Sequence, residues 1–92
     1  MRLRDVMTTT FARPFTAELD FDREVRTGFA SDLMSDVLRY EVTQWLLVTG
    51  LANPQMVRTA EMADVAAILM VRGKNPLPET LELANEVGIP IL

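Results

Sequence analysis

A chain of 92 residues with nearly half its side chains apolar has material for one hydrophobic core, and its small size makes self-association a natural supplement. A formal net charge of −4 without basic runs disfavours nucleic-acid binding, and no apolar stretch reaches the roughly 20 residues that span a bilayer. The chain has neither cysteine nor histidine, which excludes Ser/His and Cys/His catalytic pairs, the usual zinc sites and disulfides, and leaves only carboxylate, lysine or hydroxyl chemistry.

The first residues, MRLRDVM, lack the apolar core of a secretion signal, so a cytoplasmic protein is expected. Residues 3–7 place Leu3, Val6 and Met7 at helical spacing, opposite Arg2, Arg4 and Asp5, which predicts a short helix. Residues 11–17 are broken by Pro14 and read as an edge strand or a loop. Residues 18–24 are dense in acid and read as exposed, although Leu19 and Phe21 alternate with the charges. Residues 25–30 read as a short strand or turn. Ser31 is the expected N-cap of a helix from Asp32 to about Arg39 or Tyr40, with Leu33, Met34, Val37 and Leu38 as its apolar stripe.

Residues 45–54, WLLVTGLANP, are the clearest unit. The apolar run of Trp45, Leu46, Leu47 and Val48 has strand length, and Thr49-Gly50 ends it. Asn53 then caps a helix whose first position, Pro54, needs no amide. That helix runs to about Asp64 and buries Met56, Val57, Ala60 and Ala63. Residues 65–71 are almost unbrokenly apolar, the pattern of a strand covered on both faces, and Gly73 and Asn75-Pro76 repeat the loop plan. Pro78 and Glu79 open a last helix, with Leu81, Leu83, Ala84 and Val87 inward and Gly88 as its end. Residues 89–92 form a closing strand, at an edge because of Pro90. Strand–helix–strand units require right-handed crossovers. The expected fold is a single α/β domain over residues 1–92, a three-layer α/β/α sandwich with a mainly parallel sheet of about four to five strands.

Residues 28–38 (GFASDLMSDVL), 46–76 (LLVTGLANPQMVRTAEMADVAAILMVRGKNP) and 82–92 (ELANEVGIPIL), in this order and spacing, resemble the DRTGG domain family, related to the N-terminal domain of HPr kinase/phosphorylase. The resemblance is strongest over residues 25–92; the signature that names the family is not contiguous here, and residues 25–28 (VRTG) are its nearest counterpart. It implies a non-catalytic α/β module that works by regulation and association. Such domains occur in front of the kinase, between the CBS domains of some pyrophosphatases, ahead of phosphotransacetylase, and as short stand-alone proteins, some accompanying iron hydrogenase subunits. The kinase domain itself is not present: no G-x-x-x-x-G-K-[ST] exists, since Asn75 follows Gly73-Lys74 and Ile68 stands at the position of the first glycine.

If both central strands lie in one parallel sheet, the loops that follow them share its carboxyl edge, the usual place for ligands in open α/β folds. Thr49, Gly50 and Asn53 from the first loop and Arg72, Gly73, Lys74 and Asn75 from the second would offer a small anion, phosphate or carboxylate, two cations, backbone amides and two helix N-termini. Tight turns and solvated loop charges explain the same residues, and both readings stand at this point. No G-x-G-x-x-G signals a nucleotide. Ser31, Asp32, Ser35 and Asp36 read as capping and a polar helix face. Trp45 reads as an interface anchor or as partly buried under the preceding loop, and most of the six methionines as core. The resulting expectation is a regulatory or interaction module, not an enzyme, homo-oligomeric with a dimer favoured, with a small anionic metabolite as candidate ligand and no cofactor, metal, nucleic acid or membrane. The alternative is an accessory subunit docked on an enzyme, a hydrogenase by resemblance, with no ligand of its own. A small enzyme using Lys74 or a carboxylate is the remote third.

Overall fold

The computed structural model describes residues 1–16, 20–71 and 75–92. In chain order its elements are α1 (Leu3–Thr10), β1 (Gly28–Ala30), α2 (Met34–Arg39), β2 (Trp45–Thr49), α3 (Pro54–Met62), β3 (Val65–Met70) and α4 (Pro78–Val87). The protein is α/β, with a parallel sheet of three strands in the order β1-β2-β3. Each parallel step needs a crossover, and α2 and α3 supply those two.

Strand order explains the distribution of the helices. When successive strands are added on the same side with crossovers of one hand, every crossover falls on the same face. Val37 of α2, Met56, Val57 and Ala60 of α3 and Ala84 of α4 accordingly join Trp45, Leu47 and Ile68 of the sheet in one buried cluster. The other face is left to α1, whose Leu3 and Val6 form a second cluster with Val25, Leu46, Ala66, Ala67 and Leu92. The strand period of two sends Trp45 and Leu47 to the first cluster and Leu46 to the second, so β2 is buried on both sides.

Trp45 is fully buried, so the interface reading does not hold; the burial reading does, and it goes further than the partial burial expected. Its indole N–H donates to the Ala63 carbonyl at 3.0 Å, and its ring meets Tyr40 edge-on at 4.7 Å. Tyr40 stacks on Phe29 at 4.7 Å, which ties β1 to β2 through the segment after α2. Of the methionines, Met56 is buried as expected, but Met62 and Met1 are exposed.

Helix limits follow local chemistry. α1 runs three residues beyond the predicted helix, through three threonines; Thr8 and Thr10 return their hydroxyls to the carbonyls of Arg4 and Val6, and Phe11 ends the helix at a left-handed φ of 57°. Asn53 caps α3 as predicted, its side-chain oxygen accepting from the Met56 amide at 3.0 Å. Gly88 ends α4 at φ 79°, a conformation that costs glycine nothing. Inside α4, Thr80 is buried because its hydroxyl donates to the Ala52 carbonyl at 2.6 Å.

Two expectations need correction. Ser31 is not the cap of α2: it forms a local turn with the Leu33 amide at 3.0 Å, and the helix starts at Met34. The later start rotates the stripe, leaving Leu33 58% and Leu38 51% exposed while Val37 is buried. The closing segment is also less than a strand. Residues 90–92 pair with β3 through one parallel bridge, Ile68 with Ile91, using the Ile68 amide to Pro90 and the Leu92 amide to Ile68. Pro90 has no N–H for the next step, to the Ala66 carbonyl; the Arg23 guanidinium reaches that carbonyl instead, at 2.9 Å. On the outer side of this segment, the Phe15 amide donates to the Ile91 carbonyl and the Ile91 amide donates to the Thr16 hydroxyl. Residues 15 and 16, part of a segment expected as an edge strand or a loop, thus cover the outer side of residues 90–92.

Candidate functional site

Parallel register brings the carboxyl ends of the three strands together, with Ala30 opposite Val48 and Thr49 opposite Met70. Three connections leave this edge, toward α2, α3 and α4. Since the strands follow consecutively, neighbouring connections do not diverge to opposite faces, and the crevice that doubly wound sheets open at such a point does not form among the described elements.

The edge is closed by hydrogen bonds that start from Asp32, immediately after β1. One carboxylate oxygen of Asp32 accepts from the Thr49 hydroxyl at 2.9 Å and from the Gly50 amide at 2.7 Å. The Thr49 oxygen in turn accepts from the Leu51 amide at 3.2 Å. With Asn53 holding the Met56 amide, three amides between β2 and the first turn of α3 have acceptors from the protein itself. Asp32 occupies the position an external anion would take. Hydrogen bonds to a charged acceptor are among the stronger ones in proteins, and leaving the buried Thr49 hydroxyl without one would carry a desolvation cost.

Of the seven residues predicted for the edge, Thr49, Gly50 and Asn53 lie together in the connection from β2 to α3. Arg72, Gly73 and Lys74 lie outside the described residues. Asn75 lines a different groove, shared with Arg13 and Phe15 on the other side of β3. Thr49 with Asp32 has the geometry of a hydroxyl and its base, yet the Thr49 side chain is fully buried and its oxygen already accepts from Leu51, so it does not present a nucleophile. An open depression of about 300 Å³ remains beside this network, lined by Ala30, Ser31, Asp32, Val48 and Val71. Among the described residues no group of three or more carboxylates could hold a metal ion, and no helix is long and apolar enough to cross a membrane.

Sequence reasoning missed Asp32 as the organiser of this edge, because it stood as a first-turn residue of α2. The usable signal was its position: a carboxylate directly after the strand parallel to β2 arrives beside the β2 loop whenever the two strands are neighbours. No protein-family model matches the chain, and no curated protein matches it.

Proposed function

We propose that the protein is a non-catalytic interaction module of the DRTGG type, acting through a second copy of itself and an enzyme partner. The observation that carries this reading is that Asp32, Thr49 and Asn53 already hold the Gly50, Leu51 and Met56 amides of the β2–α3 connection, three of the donors an external anion would use. Association is supported by β1. It is three residues long, and among the described residues it pairs with β2 alone, so the backbone groups of Gly28 and Ala30 face outward, as a parallel ladder requires. Exposed Leu33 and Leu38 follow it in the chain. The three-layer reading with a fourth strand draws on the Ile68–Ile91 bridge and on α1 packed across from α2, α3 and α4.

A second reading, a small anionic metabolite at the carboxyl edge, draws on the depression beside Asp32 and on Arg72 and Lys74 in the sequence. The Asp32 carboxylate already takes the Thr49 hydroxyl and the Gly50 amide at this edge, which makes this the weaker of the two. Thermal unfolding against a panel of nucleotides, phosphates and carboxylates, together with sedimentation across a concentration series, separates them. The interaction module should sediment as a dimer whose population falls in Ala30→Lys, with no ligand response lost on replacing Arg72 and Lys74 by Ala. A monomer at every concentration, stabilised by a phosphate or nucleotide near the 2.7 kcal/mol expected at about a hundred times its dissociation constant, would reverse the order of the readings.

A further inference from the structure

The chemistry of the outer edge of β1 is that of the backbone. In a parallel ladder the residues of a strand turn their amide and carbonyl alternately to one neighbour and to the other. The Leu46 amide donates to the Thr27 carbonyl at 2.7 Å and the Ser31 amide to the Val48 carbonyl at 3.0 Å, so Thr27, Phe29 and Ser31 face β2. Gly28 and Ala30 therefore turn outward, and both are exposed. Each offers an amide and a carbonyl on this edge, and what completes such an edge is another extended backbone. Nothing in β1 guards it: the strand is Gly-Phe-Ala, without the lysine or proline that blocks strand addition elsewhere.

A second copy of the chain fits this edge in one orientation. Two identical edges close on each other about a two-fold axis only when they run antiparallel. Outward-turned residues then form the hydrogen-bonded pairs. Gly28 opposite Ala30 engages every outward group of β1 in both copies, whereas Gly28 opposite Gly28, or Ala30 opposite Ala30, carries the other residue past the end of the facing strand. The first register places the axis at Phe29, where the two side chains meet at a non-hydrogen-bonded position. That ring is braced from within, stacked on Tyr40 at 4.7 Å and edge-on to Trp45 at 6.0 Å. Charge agrees with the antiparallel sense. Arg26 precedes the strand, its guanidinium bonded to the Thr43 hydroxyl at 3.2 Å and, among the described residues, to no carboxylate; Asp32 and Asp36 follow the strand. Antiparallel pairing brings the arginine end of each copy to the acidic end of the other, and a parallel arrangement would set like ends together.

From these features we infer that two copies join antiparallel through β1, Gly28 of each opposite Ala30 of the other, so that two three-stranded sheets continue as one across an axis at Phe29. The pairing presupposes the interaction module proposed above and fixes how its two copies meet.

The chain has no cysteine, so an introduced one reports its own neighbours. Gly28→Cys and Ala30→Cys are prepared as separate chains; a Cβ at Gly28 meets nothing nearer than the Leu46 carbonyl oxygen at 3.8 Å. In the inferred register the two positions lie opposite each other, with Cα atoms about 5.5 Å apart and within reach of a disulfide. Each position is then about 7–8 Å or more from its own counterpart, beyond easy bridging. Under mild oxidation a mixture of the two chains should give disulfide-linked dimer several-fold in excess of either chain alone on non-reducing electrophoresis. Gly28→Pro, which removes one outward amide, provides a second variant and should weaken the dimer by about tenfold or more in sedimentation, since the bond is lost twice. If the unmodified protein sediments as a dimer while the mixture shows no excess, or while Gly28→Pro dimerises in full, the pairing is overturned and the interaction module stands. Cross-linking of Gly28→Cys or Ala30→Cys alone at the level of the mixture would likewise overturn the register. A monomer at every concentration, with no excess in the mixture, would overturn the pairing and the interaction module together.

Discussion

Two regions at the same end of the sheet treat their polar groups in opposite ways. Around Asp32, a carboxylate, a buried hydroxyl and two amides satisfy one another across two neighbouring connections. Around Arg13, a guanidinium and an amide side chain border a groove without partners among the described residues. Glycine, helix N-terminus and loop position all favour the first region as a ligand site. The difference teaches that anion-binding chemistry at a strand–helix turn is a capacity which the protein itself can fill. What matters is whether an internal acceptor reaches it first.

The largest expected effect sets a reference for both regions. Leu47→Ala empties the core beneath the central strand and should cost about 3 kcal/mol in chemical denaturation. Because Leu47 supports the sheet under both ends, the Asp32 network and the Arg13 groove should loosen together, visible as raised amide exchange in each.

Asp32→Ala should then separate them. It removes the acceptor of the Thr49 hydroxyl and the Gly50 amide and should cost about 2 kcal/mol, with faster exchange at Gly50 and Leu51 and none at Phe15. A loss under about 0.5 kcal/mol, the ordinary range for surface changes, would show that water replaces the carboxylate and that the edge is open after all.

Arg23→Met tests a satisfied group outside either region. It strips the Ala66 carbonyl of the donor that stands in for the missing Pro90 amide and should cost about 1 kcal/mol. In a Pro90→Ala background, where the backbone can donate, the same change should cost little, so the two effects are expected not to add. Equal costs in both backgrounds would mean that Arg23 contributes by packing alone.

The smallest effect is expected at the groove itself. Arg13→Gln should change stability by less than about 0.5 kcal/mol, because the guanidinium holds no partner among the described residues. A loss comparable with that of Asp32→Ala would place Arg13 among the structural residues and erase the contrast between the regions.

Much of this architecture is legible in the chain. The run from Trp45 to Thr49, the Asn53-Pro54 start of α3 and the Gly88 stop of α4 are local signals, set by hydrophobic period, a cap oxygen and a left-handed φ, and each falls where the residues put it. Thr49, Gly50 and Asn53 were equally legible as the carboxyl edge. Asp32 was not, because nothing near it in sequence shows that its carboxylate will meet residues 17 and 18 positions later. The same holds for Arg23, which reaches Ala66 across 43 positions, and for residues 15 and 16 against Ile91.

By itself, then, the sequence determined the α/β class, the central strands, the helix that follows β2 and its cap, since those depend on neighbours a few positions apart. Tertiary structure alone decided the consecutive strand order that puts α2, α3 and α4 on one face, the burial of Trp45, and which polar groups meet. The reason is physical. A carboxylate, a guanidinium or an amide is satisfied by whatever stands within about 3 Å, and that neighbour is chosen by strand pairing rather than by chain position. Strand pairing brought Asp32 to Thr49 and left Arg13 facing the groove beside Asn75.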